Sequence, residues 1–158
     1  MNKAYISGAL TDVPNLREVR AFYEAIGGVC VEVGLTPYVP HKHIDPELNP
    51  GVTPQTVFET DKAQVVSSKL LIAYVGVRSL GVGMELAYAE THHIPIILLY
   101  QENQRVSKMV RGIPESTKIA EIVFQDYQDA VKELKEFLTH WVQKGKLEAG
   151  HAMQRNAS

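Results

Sequence analysis

Residues 70–86 read Leu70-Leu71-Ile72-Ala73-Tyr74-Val75-Gly76-Val77-Arg78-Ser79-Leu80-Gly81-Val82-Gly83-Met84-Glu85-Leu86. The first six form a continuous apolar run, the pattern of a strand buried on both faces of a parallel sheet. Gly76 to Gly83 follows as a loop. A helix is expected from about Val82 to His92, leading through Pro95 into a second fully apolar strand, Ile96 to Tyr100. Strand, loop, helix and strand make the unit of an α/β fold, and the flanking sequence repeats it. Upstream, Ala4 to Ser7 reads as a strand ending in Gly8-Ala9-Leu10-Thr11-Asp12. Pro14 then opens a segment with Leu16, Val19, Phe22, Tyr23 and Ile26 at helical spacing. Gly34 stops that helix, and Leu35 to Val39 supplies another strand, closed by Pro40. After a turn-rich loop from Pro40 to Pro54, residues Gln55 to Ser68 fit an amphipathic helix imperfectly through Val57, Phe58, Ala63, Val65 and Val66. Downstream, Ile119 to Phe124 gives a fifth strand. Tyr127 to about Gln143 gives a last helix with Val131, Leu134, Phe137, Leu138 and Trp141 on one stripe. The expected architecture is a doubly wound, flavodoxin/Rossmann-like α/β domain: a five-stranded, mostly parallel sheet with helices on both faces. It occupies residues 1–144 as a single domain, and 145–158, where the apolar pattern stops, is expected to be a flexible tail.

Composition bounds what such a domain can do. The chain has 158 residues, 45% hydrophobic and 22% charged, which is ordinary globular make-up. Sixteen Lys and Arg against 18 Asp and Glu give a net charge of −2, so no global positive field draws the chain to a nucleic-acid polymer or an anionic membrane. Any phosphate it binds must be held locally. The single cysteine, Cys30, excludes an internal disulfide and a multi-cysteine zinc site, and it reads as a small buried apolar side chain. No stretch reaches the roughly 18 apolar residues of a membrane span. A cytoplasmic protein is expected.

In a doubly wound sheet ligands bind at the carboxyl ends of the strands, which selects the loops Ser7–Asp12, Pro40–Pro54 and Gly76–Gly83. In the third, Gly81 and Gly83 let backbone N–H groups approach an anion, and the helix that follows presents its positive end. The loop has neither the dinucleotide glycine fingerprint nor the Gly-Lys-Ser/Thr of a P-loop, so NAD and nucleoside triphosphates are not indicated. A Glu in a first helical turn, as Glu85 is expected to be, ordinarily does no more than favour the helix dipole. Asp61 on the preceding helix and Tyr5 on the first strand belong to elements that pack near the third strand, so these three groups are expected to converge. A tyrosine hydroxyl with two carboxylates suits glycosyl transfer.

The run Ser79 to Leu86, followed after one more strand by Arg105-Val106-Ser107-Lys108-Met109-Val110-Arg111-Gly112, resembles the 2'-deoxynucleoside 5'-monophosphate N-glycosidases, a branch of the nucleoside 2-deoxyribosyltransferase superfamily. The resemblance covers roughly residues 4 to 140, and the spacings from Tyr5 to Asp61 and from Asp61 to Glu85 fit the family pattern without gaps. It implies that Glu85 is the nucleophile forming a covalent deoxyribosyl ester, that Asp61 assists departure of the nucleobase, and that Tyr5 orients Glu85. It further implies that Ser79 and Ser107 contact the 5'-phosphate, Ser107 from a neighbouring subunit, with Met109 bordering base or sugar. The active form would then be a homodimer, with a small-molecule nucleotide as substrate and no cofactor. Serine at position 79 marks the phosphate-using branch, because transferases acting on free nucleosides usually carry there an Asp that would repel a phosphate.

Two departures bear on this. The loop after the first strand, Gly8-Ala9-Leu10-Thr11, lacks the arginine of the family's Gly-Ser-Ile-Arg type, so the backbone of Gly8 and Leu10 is expected to serve instead. Lys69 replaces an Asp that usually enters the third strand. Arg105 and Arg111 invite a phosphate-binding role, although surface arginines are usually solvated. In Pro40-His41-Lys42-His43, His41 is expected to line the base pocket. His41 and His43 with Asp45 also allow a metal reading, against which stands the lack of a further spaced ligand. His92 and His93 near a helix end read as surface residues complementing the dipole. The reading that results is hydrolysis of 2'-deoxynucleoside 5'-monophosphates. The alternatives are base exchange by a deoxyribosyltransferase, a ribonucleotide (CMP-type) N-glycosidase, and a non-catalytic nucleotide-binding domain, since fold alone does not fix function.

Overall fold

A computed structural model describes residues 2–44 and 49–156. Eleven elements follow one another: β1 (Lys3–Gly8), α1 (Leu16–Glu32), β2 (Thr36–Tyr38), α2 (His41–Ile44), α3 (Pro54–Val66), β3 (Leu70–Tyr74), α4 (Leu80–Thr91), β4 (Ile96–Gln101), α5 (Lys108–Arg111), β5 (Lys118–Phe124) and α6 (Tyr127–Asn156). The five strands form one sheet in the order β2-β1-β3-β4-β5, and every pairing is parallel. This is the flavodoxin-like order, whose switch point lies between β1 and β3.

Strand alternation divides the core in two. Ala4, Ile6, Leu70, Ile72, Tyr74, Ile97 and Leu99 pack with Val19, Phe22 and Ile26 of α1 and with Ala130, Leu134 and Leu138 of α6. Tyr5, Leu71, Ala73, Ile96 and Leu98 point to the other face, where Val65 of α3 and Val82, Leu86 and Ala89 of α4 cover them. Burial on both faces explains why β3 and β4 carry unbroken apolar runs. Cys30 is fully buried in the first of these layers, and burial pushes its thiol up to about 12, so it stays protonated.

Local chemistry sets the element ends. Gly34 takes φ +86° after α1, and the N–H of Leu35 reaches back to the Cys30 carbonyl at 2.8 Å, the six-to-one closure of a Schellman cap. Thr53 caps α3 by accepting from Thr56 N, with Pro54 in the first turn. Of the side chains of α3, Val65 alone is buried, which accounts for its imperfect amphipathic pattern. The last helix corrects the sequence reading. The expected end near Gln143 is passed, and α6 continues to Asn156 where an irregular tail was expected. Loss of an apolar stripe ends packing against the sheet, but Lys, Leu, Glu, Ala, Met and Gln sustain helix on propensity alone. No helix among the described residues is long and apolar enough to cross a membrane.

Candidate active site

The sheet builds the site two residues at a time. Tyr5 and Ser7 share the α3/α4 face of β1, and both hydroxyls meet Glu85 of α4. Tyr5 donates to Oε1 at 2.7 Å and Ser7 donates to Oε2, so each carboxylate oxygen has its own donor. Ser7 is fully buried, and Glu85 keeps a little exposure. Because Ser79 caps α4 by accepting from Val82 N at 3.3 Å, the helix starts at Leu80 and Glu85 falls in its second turn. The dipole explanation for Glu85, which required a first-turn position, therefore gives way to its two hydroxyl partners.

Asp61 of α3 faces the same centre. Its Oδ1 is buried with no partner among the described residues. Burial raises both carboxyls: Asp61 to about 6, a bond from Tyr5 pulling it back, and Glu85 to about 7. For Glu85 the Ser7 and Tyr5 hydroxyls pull downward, while the Asp61 charge pushes it up. Burial and the same two carboxylates push the Tyr5 hydroxyl far upward, so it remains a donor. Tyr5, Asp61 and Glu85 thus converge as expected.

Two members of the cluster escaped sequence reasoning. The sequence reading gives Ser7, at the junction of the first strand and its loop, no role, although it lies two residues from Tyr5, which puts both on one face. Tyr38 pairs directly with Tyr5 across β2 and β1, the rings stacked at 5.5 Å and 20°. Burial, then the charges of Asp61 and Glu85, raise the Tyr38 hydroxyl to about 12. The signal for Tyr38 was the parallel register, which a single sequence does not display.

The remaining candidates divide. Ser79, Gly83, Arg78 and Leu80 line a cavity of about 440 Å3 together with Arg105, Ser107 and Val110 from the segment after β4. A volume of that order suits a small molecule. Gln104 ties that segment to β3 by donating to the Tyr74 hydroxyl at 3.0 Å. Arg78 was not singled out in the sequence. Arg111, by contrast, donates from Nε to Glu121 at 2.9 Å and lies over the Tyr100 ring, so its charge is engaged away from the cavity. Glu85 is not among the lining residues, because it leaves α4 on the side facing β1. Ser107 caps α5 by accepting from Met109 N at 3.2 Å, and Met109 is 87% exposed.

Gly83 gives its N–H to the Ser79 carbonyl at 3.2 Å, so it contributes space rather than a donor, and the free first-turn amides are those of Leu80 and Gly81. A Cβ on Gly83 would meet nothing within 4 Å, and one on Gly81 only the Ser79 hydroxyl at 3.7 Å. Gly8 is different: a Cβ there would lie 2.2 Å from the Tyr23 ring, which is itself anchored by a bond from its hydroxyl to the Ala9 carbonyl at 3.0 Å. Leu10 packs its side chain against the α1/α6 core. His41 is tied to α1, its Nε2 3.0 Å from Glu24 Oε1. His43 stands instead against Tyr38, with ring centroids 4.6 Å apart and planes 8° from parallel. Asp45, the third member of the metal reading, lies outside the described residues. Among those described no three His, Cys, Asp or Glu side chains gather as a metal site.

A flavodoxin-like sheet carries at its carboxyl edge a hydroxyl-held carboxylate and a second raised carboxyl, the arrangement of an α/β protein whose candidate reactive groups are two buried acids. Comparison with known proteins gives the family. No family model matches the chain. It is 35% identical over 109 residues to a protein of Thermofilum pendens named 2'-deoxynucleoside 5'-phosphate N-hydrolase 1, covering 67% of this chain and 73% of that one. A protein of the same name from Methanosarcina mazei is 32% identical over 134 residues, covering 82% and 79%. Among solved structures, the CMP N-glycosidase BcmB of Clostridium botulinum superposes with a TM-score of 0.67 over 86% of this chain and 99% of that one, at 17% identity, which shows a shared fold. The chain belongs to the 2'-deoxynucleoside 5'-phosphate N-hydrolase family.

Proposed function

We propose that this protein hydrolyses the N-glycosidic bond of 2'-deoxynucleoside 5'-monophosphates, releasing the nucleobase and 2-deoxyribose 5-phosphate through a glycosyl ester on Glu85. The observation that carries the reading is the Glu85 carboxylate, one oxygen held by Tyr5 and the other by Ser7, with Asp61 beside it. Cleavage passes through an oxocarbenium-like state that a close carboxylate stabilises, and a covalent ester divides one hard step into two. Glu85 must be ionised to attack, and its two hydroxyl donors favour that form. Asp61 is the group that gives a proton to the departing base; in the free enzyme Glu85, raised further, holds its proton more tightly, so substrate binding must move that proton from Glu85 to Asp61 before attack. Tyr5 holds Glu85 at the angle of attack.

The 5'-phosphate goes to the start of α4, where Ser79 and the amides of Leu80 and Gly81 provide donors. Arg78 and Arg105, which line the neighbouring cavity, supply the positive charge that the Gly8 to Thr11 loop lacks. The working form is a homodimer. Ser107 of the same chain lines this cavity with Ser79, and the family resemblance points to the partner subunit's Ser107 and the partner subunit's Met109 as completing each site. The exposed apolar side chains of Leu80 and Met109, at 91% and 87%, support a covering copy on this side. A lone, buried cysteine suits a reducing compartment, and we place the enzyme in the cytoplasm.

The test is a product assay by mass spectrometry on each 2'-deoxynucleoside, its 5'-monophosphate and CMP, with and without a second free base. Free base plus 2-deoxyribose 5-phosphate, from the 2'-deoxy monophosphates only, is the expected result. Base exchange on unphosphorylated nucleosides would make the enzyme a transferase and remove the phosphate role from Ser79.

A further inference from the structure

Two buried polar atoms beside Glu85 have no partner among the described residues: the Tyr38 hydroxyl and Asp61 Oδ1. Ester formation does not account for either. Both oxygens of Glu85 are already held by Tyr5 and Ser7, and Asp61 needs one oxygen to pass a proton to the base. Tyr38 is held by two ring stacks, with Tyr5 at 5.5 Å and with His43 at 4.6 Å. It cannot swing away without breaking them. It also remains a donor, since burial and the charges of Asp61 and Glu85 oppose its ionisation. A buried donor and a buried acceptor left open at one centre call for a group that satisfies both. The smallest such group is water, accepting from the phenol and donating to the carboxylate.

We propose that Tyr38 and Asp61 hold the water that hydrolyses the glycosyl ester, with Tyr38 as a positioning residue. The inference rests on the N-glycosidase reading and adds what turns the intermediate toward hydrolysis and away from capture by another base. In the step, the water oxygen bonds to the anomeric carbon. The bond from that carbon to the Glu85 oxygen breaks, its electron pair returning to the carboxylate, and the water proton passes to Asp61. Asp61 had given its own proton to the leaving base, so both carboxyl groups end as they began. Tyr38 exchanges no proton; it fixes the direction from which the water approaches.

Tyr38→Phe keeps the ring stack and removes only the hydroxyl. Wild type and variant are compared by rapid-quench release of base from a 2'-deoxynucleoside 5'-monophosphate, by intact-protein mass, and by the share of intermediate captured by an added nucleobase. The variant is expected to release its first base within about twofold of the wild-type rate and to turn over about tenfold more slowly, the effect of one lost hydrogen bond. Glycosyl-enzyme should accumulate and the captured share should rise. That share is a ratio within the active molecules, so partial misfolding of the variant does not change it. An unchanged captured share overturns the proposal, and if KM rises at the same time the hydroxyl belongs to the substrate, its sugar hydroxyl being the rival occupant. Wild-type enzyme that releases no base from any monophosphate overturns the N-glycosidase reading itself, an outcome visible before the variant is made.

Discussion

Glu85 is a carboxylate that the fold keeps at a cost in stability. Burial lifts it from 4.5 to about 7, so between those values the folded protein retains a proton that the unfolded chain has released. Stability therefore falls as pH rises through that window, and above it the full cost of the buried charge is present. Glu85→Gln removes that charge. We expect the variant to melt higher than wild type at pH 8 and to gain much less at pH 5, a difference of order 2 kcal/mol read from melting curves at the two pH values. Equal gains at both would mean that the charge is not what the fold opposes. Nucleotide binding should survive in the same variant while turnover falls at least a thousandfold, on the order seen when a covalent nucleophile is lost. The pH dependence of kcat/KM belongs to the pair rather than to either member. With Asp61 near about 6 and Glu85 near about 7, the singly protonated pair peaks between those values, giving a narrow bell that declines on both sides. A rate flat from pH 5 to pH 8 would remove the two carboxyls from proton transfer.

At the scale of elements, α4 carries two glycines that its own packing does not require. Among the described residues nothing lies within 4 Å of a Cβ on Gly83, and glycine within a helix costs roughly 1 kcal/mol relative to alanine. Gly83→Ala should thus raise thermal stability by about 0.5–1 kcal/mol and, if substrate or a second copy approaches α4 here, raise KM for the monophosphate. A rise in stability with KM untouched would leave the glycine unexplained. The contrast with Gly8, held open by the Tyr23 ring, shows which part of the site sequence reasoning could reach. Periodicity placed the strands and helices, because apolar runs and stripes report burial directly. Tyr5, Asp61 and Glu85 were legible through the elements that carry them and through resemblance, whereas Ser7 was missed although the two-residue period of β1 puts it beside Tyr5. Tyr38, His43 and Arg78 were not legible, since they depend on which strands are neighbours and on how the loop past Val39 turns. His41 meets Glu24 of α1 while His43 stacks on Tyr38, a difference that two histidines at i and i+2 do not display in the sequence. The end of α6 was missed because helix propensity continues after the apolar stripe stops.

For the molecule as a whole, the sheet separates holding from acting. The α1/α6 face buries the larger apolar layer, while the carboxylates ride on α3 and α4 across the sheet. The proposed dimer would cover Leu80 and Met109 on the acting side, so Met109→Asp should halve the mass seen in sedimentation and take activity with it, leaving the monomer folded. An active monomer would confine the site to one chain. Asp61 sits on α3, whose contribution to the core is Val65 and whose seam with α4 is Phe58 edge-on to Tyr88, with Lys62 above both rings. An element held so lightly opens locally at lower free energy than the sheet beneath it. Heating should therefore silence the enzyme reversibly several degrees before the strands melt, with amide exchange quickening first along α3. A cell that warms would lose this reaction while keeping the protein, and would regain it on cooling without making more.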